Sequence, residues 1–224
     1  TAALKKLTTY PPLELTNDFT LNTTLSPQAQ RDIDTPDRGY HYDPLDYVVS
    51  GRTLTNSTLT LTNGVGLGTY GVSSSSGINL RAGAKVYSGG SATALNWIVR
   101  YSTVQEQATT NWSSTSVAPA LAFTLTSTPE PQGQFTFTGW SLLGNRGDHL
   151  YGGKQGITPF GFKDCQFAGG GFSPNDISVA LTNCLWERVA LNLSSDKYDP
   201  DRFLFNNLVR VGSVSLYNDG SATW

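Results

Sequence analysis

The sequence predicts an all-β chain wound as a right-handed parallel β-helix, a β-solenoid, behind an irregular proline-rich N-terminal segment. Three observations lead there. From Tyr47 onward, short runs alternate apolar and polar residues with period two. No stretch holds an apolar 3.6-residue period over about eleven residues, so almost no helix is expected. The C-terminal part of the chain repeats itself imperfectly, with a period near twenty residues.

Residues 1–47 differ from the rest. Pro11, Pro12, Pro27, Pro36 and Pro44 interrupt them. Proline removes a ladder donor and restricts the residue before it, so this stretch reads as an irregular segment or linker with short extended pieces at most. Residues 48–224 read as the β-helix. Leu54, Leu59, Leu61, Val65 and Leu67 alternate, followed by Ile78, Leu80, Ala84 and Val86, then Trp97, Ile98, Val99 and Val104. Gly, Asn and Ser separate these runs into strands of a few residues. Residues 106–134 are rich in Ser, Thr and Pro and read as an excursion from the regular body, with one strand at Leu121–Leu125.

The repeat appears when four segments are written in order: FTFTGWSLLGN, FGFKDCQFAGG, VALTNCLWERV and FLFNNLVRVGS. Phe137, Phe162, Leu181 and Phe205 fill one column, and Gly139, Asp164, Asn183 and Asn207 the next, with Asn206 as an alternative to Asn207. A unit of this size cannot bury its own apolar face. Stacked copies can, with coils about 4.8 Å apart. An Asn at a fixed corner then bonds to the Asn of the next coil, and Asp164, Asn183 and Asn207 fit such a ladder. Cys165 and Cys184 share a column and are expected as buried, stacked thiols, although the spacing also permits a disulfide.

Composition narrows function more by exclusion. Charged residues make up 14% of the chain and the net charge is −2. The longest basic run is Lys5-Lys6, which argues against a nucleic-acid surface. No apolar run is long enough for a membrane-spanning helix. The chain contains no methionine, so it is expected to be a processed form or an excerpt of a longer protein. Low charge with abundant Ser, Thr and Asn suggests an extracellular protein. The sequons NTT, NST, NWS and NLS match the glycosylation pattern, which arises by chance in such a composition.

The stretches DRGYHYDPLDYVVSG, LTNSTLTLTNGVGLGTYG, GINLRAGAKVYSGG and LTNCLWERVALNL, together with RYSTVQEQ and FNNLVRVGSVSLYN, resemble the large repetitive right-handed β-helix proteins of environmental bacteria, within the wider pectate-lyase-like superfamily. The resemblance covers about residues 31–224. It implies a non-catalytic, structural β-helix module of a long extracellular or cell-surface bacterial protein. Its partners would be flanking coils of the parent chain or further copies stacked end to end. It implies no catalytic residue and no cofactor.

Sites for chemistry are few. Arg146, Asp148, His149 and Lys154 cluster in the Gly-rich stretch NRGDHLYGGKQG, and Trp112 is the tryptophan least tied to the repeat. These are the candidate ligand-binding residues for the alternative, a carbohydrate-binding or lyase-like β-helix with a polysaccharide partner. A glycosidase needs two placed carboxylates, and glutamate is confined to Glu14, Glu106, Glu130 and Glu187. Asp32, Asp34 and Asp37, with Asp43 and Asp46, form an acidic stretch around His41. Asp32, Asp34 and Asp37 are weak calcium candidates, because the glycine of an EF-hand loop is absent. The stretch reads better as a series of turns at the joint between the proline-rich segment and the first strands. Tyr40 and Tyr42 would share one face there, with His41 on the other.

Overall fold

A computed structural model describes residues 7–31, 43–71, 76–104, 118–123, 128–142, 147–153, 159–175, 178–193, 203–211 and 215–216. Arg146, Lys154, Trp112, Asp32, Asp34, Asp37, Tyr40, His41 and Tyr42 lie outside the described residues.

The chain is a parallel β-helix. Its first coil holds β1 (Leu13–Leu15) and β2 (Thr23–Leu25), with Phe19 bridged to Leu54 between them. The second holds β3 (Tyr47–Val49), β4 (Arg52–Leu54) and β5 (Thr58–Leu61). The third holds β6 (Gly66–Thr69), β7 (Ile78–Leu80) and β8 (Lys85–Gly89). In the fourth, β9 (Asn96–Arg100) runs into the short helix α1 (Tyr101–Val104), followed by β10 (Leu121–Phe123) and β11 (Gln132–Thr136). The fifth holds β12 (Thr138–Ser141), β13 (Asp148–Gly153) and β14 (Pro159–Lys163). Then come β15 (Gln166–Ala168), β16 (Gly171–Asn175) and the long β17 (Ser178–Glu187), which bends from the sixth coil into the seventh. The described chain ends with β18 (Ala190–Leu193), β19 (Phe203–Val211) and β20 (Ser215–Leu216).

Every strand pairs in parallel with its counterpart one coil away, forming three faces. Face A runs β1, β3, β6, β9, β12, β15 and on to the C-terminal half of β17. Face B runs β2, β5, β8, β11, β14 and the N-terminal half of β17. Face C runs β4, β7, β10, β13, β16, β18, β20.

Two boundaries differ from expectation. Residues 13–25 belong to the solenoid, as its first coil. The flanking prolines, at 11, 12 and 27, fall outside the strands, so no ladder donor is lost. The Ser/Thr/Pro-rich excursion holds its expected strand, as β10 on face C, and ends earlier than expected, because β11 already occupies a regular place on face B from Gln132.

The register corrects the column alignment as well. Phe135, not Phe137, stands in line with Phe162, Leu181 and Phe205. Gly139 stands opposite Gln166. Phe137 takes the corner position, in line with Asp164, Asn183 and Asn207, and all four have positive φ between 45° and 56°. The first segment therefore slips by two residues. Its alternating Phe135 and Phe137 fit the apolar column equally well in sequence, and only the turn between faces B and A separates them. Positive φ favours Asn and Asp among residues with a Cβ, which is why the corner reads Asp, Asn, Asn in the later coils.

Inside, face A stacks Leu67, Ile98, Trp140, Phe167 and Trp186 in one column. Face B stacks Phe135, Phe162 and Leu181 in one column and Phe160 and Val179 in another. Phe135 and Phe162 lie nearly parallel, ring centroids 4.9 Å apart. Gly133 sits beside them because a Cβ there would meet the Phe160 ring at 2.5 Å.

Candidate functional site

Three places hold polar or aromatic groups that could do more than fill space. The first is the outer side of face C. Asp148 opens β13 and lies half-buried. Its Oδ1 accepts a hydrogen bond from Ser173 Oγ at 2.8 Å, and Asn192 Nδ2 donates to Ser173 Oγ at 3.2 Å. Carboxyl, hydroxyl and amide thus run from coil to coil. Burial raises the Asp148 carboxyl above its ordinary range, and the Ser173 bond opposes that shift. This is a satisfied hydrogen-bonding row.

Next to Asp148, the register of β13 against β16 shifts, so His149 and Leu150 together oppose Phe172. This β-bulge breaks the alternation of side chains, and both residues turn inward. His149 is 0% exposed and packs edge-on against Trp140 and Phe167. Its Nε2–H donates to the Gly169 carbonyl at 2.9 Å, which leaves Nδ1 without a partner. Burial holds its pKa down at about 4, against the Gly169 bond. His149 is therefore a neutral core residue and cannot serve as the ligand-binding histidine that the sequence pattern offers. The bulge is the physical reason, and nothing in the local sequence marks it.

The second place is the joint before β3. Asp46 is 0% exposed. Its Oδ1 accepts the N–H groups of Gln28 and Ala29 at 2.8 and 2.9 Å and faces Arg31 Nη1 at 3.3 Å. Its Oδ2 accepts the Gly66 N–H at 2.8 Å. One carboxylate ties the end of the first coil to the second and third, and the cation it uses is Arg31. Of the acidic stretch, Asp46 is thus a structural brace. Among the described residues, no group of three or more His, Cys, Asp or Glu could hold a metal ion.

The third place is Trp97, on the outer side of face A. Its indole lies over Gly139, where a Cβ would meet ring atoms at 2.4 Å, and it is 39% exposed. Gln166 and Leu185 follow in the same outward column and are also exposed. The glycine in the neighbouring coil is the one sequence signal for this arrangement, and it becomes visible only once the register is known.

The corner residues form a directed ladder. Asn207 Nδ2 donates to Asn183 Oδ1 at 2.7 Å, and Asn183 Nδ2 donates to Asp164 Oδ1. The register makes Asn207, not Asn206, the member of this row. A carboxylate accepts without needing to donate, so Asp164 suits the end of the row, next to the coil where Phe137 supplies no amide. Cys165 and Cys184 are both free and buried. The Cys184 thiol and burial together raise the Cys165 thiol above its ordinary range.

No helix among the described residues is long and apolar enough to cross a membrane. The chain matches no protein-family model, no curated protein and no solved structure in the comparisons made.

Proposed function

We propose that this chain is a non-catalytic structural module of a long extracellular or cell-surface bacterial protein, a stiff rod made of stacked coils. Its partners are flanking coils of a parent chain or other copies stacked end to end. The observation that carries this reading is the state of β19. In the column of Phe162, Leu181 and Phe205, the first two are buried, whereas Phe205 is 36% exposed. Leu204 and Val209, in line with Ala180 and Leu185, face outward on the same strand and make its outer side apolar as well. Among the described residues, β19 pairs on one side only, with β17. An apolar strand edge of this kind suits a further coil. The resemblance to large repetitive β-helix proteins of the pectate-lyase-like superfamily supports the same reading at the level of fold.

The test is the assembly state. Light scattering and electron microscopy of the chain are expected to show concentration-dependent end-to-end oligomers, and Leu204→Lys with Val209→Lys is expected to abolish them. A strictly monomeric chain, in which the lysine pair changes nothing, would count against stacking between copies. Grafting the chain between further coils then tests the flanking-coil form of the proposal.

A carbohydrate-binding surface is the second reading, favoured by Trp97. A flat indole held on a sheet face, with an exposed amide beyond it, suits the apolar face of a sugar ring. Glycan-array binding that is lost in Trp97→Ala would move the assignment there. Release of unsaturated sugars from acidic polysaccharides, with calcium present, would move it to a lyase.

A further inference from the structure

Cys165 and Cys184 are the only cysteines of the chain, and they are 1% and 2% exposed. Leu185 lies opposite Gln166, and its N–H donates to the Cys165 carbonyl, so Cys184 stands directly over Cys165 in the next coil. Each thiol makes the same pair of bonds. Cys165 Sγ reaches the carbonyls of Lys163 at 3.3 Å and Phe135 at 3.5 Å, and Cys184 Sγ those of Thr182 at 3.4 Å and Phe162 at 3.5 Å. Equivalent bonds one coil apart mean that both sulfurs point the same way. Adjacent strands hold opposite Cα atoms about 4.8 Å apart, which falls within the about 4.4–6.8 Å that a disulfide spans. Turning one side chain about χ1, at the expense of its carbonyl bonds, would bring the sulfurs together.

We propose that this pair is a latent crosslink between the sixth and seventh coils, closed by a low-molecular-weight disulfide such as oxidised glutathione. The thiolate of one cysteine attacks the small disulfide and expels one small thiolate, leaving a mixed disulfide. The thiolate of the other cysteine then attacks the protein sulfur and expels the second. The protein loses two protons and two electrons, and the small disulfide is reduced to two thiols. Burial shields both sulfurs, so the reaction proceeds through local opening of the last coils. The crosslink acts where it matters, because the seventh coil leads into β19 with its exposed Leu204, Phe205 and Val209. It does not depend on the structural-module reading.

The experiment incubates the folded chain with oxidised glutathione, then measures intact mass, maps peptides without reduction and records thermal unfolding. The expected result is a monomer lighter by two hydrogens, a joined peptide pair containing Cys165 and Cys184, and an unfolding midpoint raised by several degrees over the reduced chain. Cys165→Ala and Cys184→Ala should each lose both the crosslink and the shift. Thiols that stay free while hydrogen exchange shows the last coils opening would overturn the proposal. So would glutathione adducts or intermolecular dimers as the sole products, or a crosslinked chain with a lower midpoint. The wild-type mass and midpoint decide the matter even if an alanine variant does not fold.

Discussion

Coils two to four and coils five to seven follow one register but fill their interiors differently. The earlier coils pack aliphatic side chains (Leu54, Leu59, Leu61, Leu67, Leu80, Val86, Ile98) around a polar cluster. In that cluster, Asn96 Nδ2 donates to Leu61 O at 3.1 Å and Ser88 Oγ at 2.9 Å, its Oδ1 accepts the Val65 N–H at 3.1 Å, and Ser88 meets Thr138 at 2.8 Å. The later coils pack Trp140, Phe160, Phe162, Phe167, Phe172 and Trp186 against one another and against Phe135 at the end of the fourth coil, with the two thiols in the column that Asn96 and Thr138 occupy before them. Polar atoms there go unanswered: Trp140 Nε1, Trp186 Nε1 and His149 Nδ1 are buried without partners. The difference teaches that a solenoid fixes the spacing between coils and leaves the means of cohesion open. One part of this rod rests on satisfied buried hydrogen bonds, the other on aromatic area large enough to outweigh polar atoms left bare.

The largest effect expected on either side of that comparison comes from the aromatic core. Phe162 contacts Phe135, Trp140, Phe167 and Phe172. Phe162→Ala should cost about 3–5 kcal/mol, by lost burial and the cavity left behind. Chemical denaturation would measure it, and Phe162→Leu should recover most of the loss. A cost below about 1 kcal/mol would mean that the later coils relax around cavities and are not held by ring packing.

The matching test in the earlier coils is Asp46→Ala. It strands the N–H groups of Gln28, Ala29 and Gly66 and leaves Arg31 without its carboxylate, at a cost of about 3 kcal/mol. Because the loss is local, hydrogen exchange should show the first coil opening before the rest. Uniform loss of protection along the rod would instead show one cooperative unit.

How much of this was legible in the sequence follows the same division. The aliphatic coils announce themselves: Leu54, Leu59, Leu61, Val65 and Leu67 alternate in the string and are buried in the structure. The corner is half legible, because Asn and Asp report positive φ but Phe137 does not. Side-chain identity therefore misplaced one segment by two residues. His149 was illegible, since a bulge is a relation between two strands, and its other strand lies more than twenty residues away. Asp46 stood out only as one of a run of aspartates. Its role arises from the first coil folding back over it, a coil that the prolines at 11, 12 and 27 conceal.

Acid should separate the two regions next. His149 has a folded pKa of about 4, below the ordinary imidazole value of 6.5, so the fold prefers its neutral form. The stability this contributes is complete above 6.5 and is lost as pH falls from there toward 4. By linkage it amounts to about 3 kcal/mol at most. Asp148 works in the opposite sense: its raised carboxyl takes up a proton more readily in the folded chain, which favours the fold as pH falls toward the ordinary carboxylate range. Unfolding free energy measured from pH 7 to pH 4 should decline, and His149→Phe should flatten the decline. If the variant titrates like the parent, the acid sensitivity belongs elsewhere.

The smallest effect expected is at the exposed corner, where it separates two causes that coincide in asparagine. Asn183 holds φ at 53° and also passes a hydrogen bond along the row, from Asn207 to Asp164. Asn183→Ala removes the bonds and keeps a Cβ in a strained conformation, at a cost of about 1–2 kcal/mol. Asn183→Gly removes the same bonds but adopts positive φ freely. If the ladder itself holds the coils, the two variants should lose nearly the same stability. If conformation is what matters, glycine should be close to wild type and alanine alone should suffer. Glycines in left-handed conformation at other corners, Gly51, Gly83 and Gly169, favour the second outcome, because the chain already turns there without any amide.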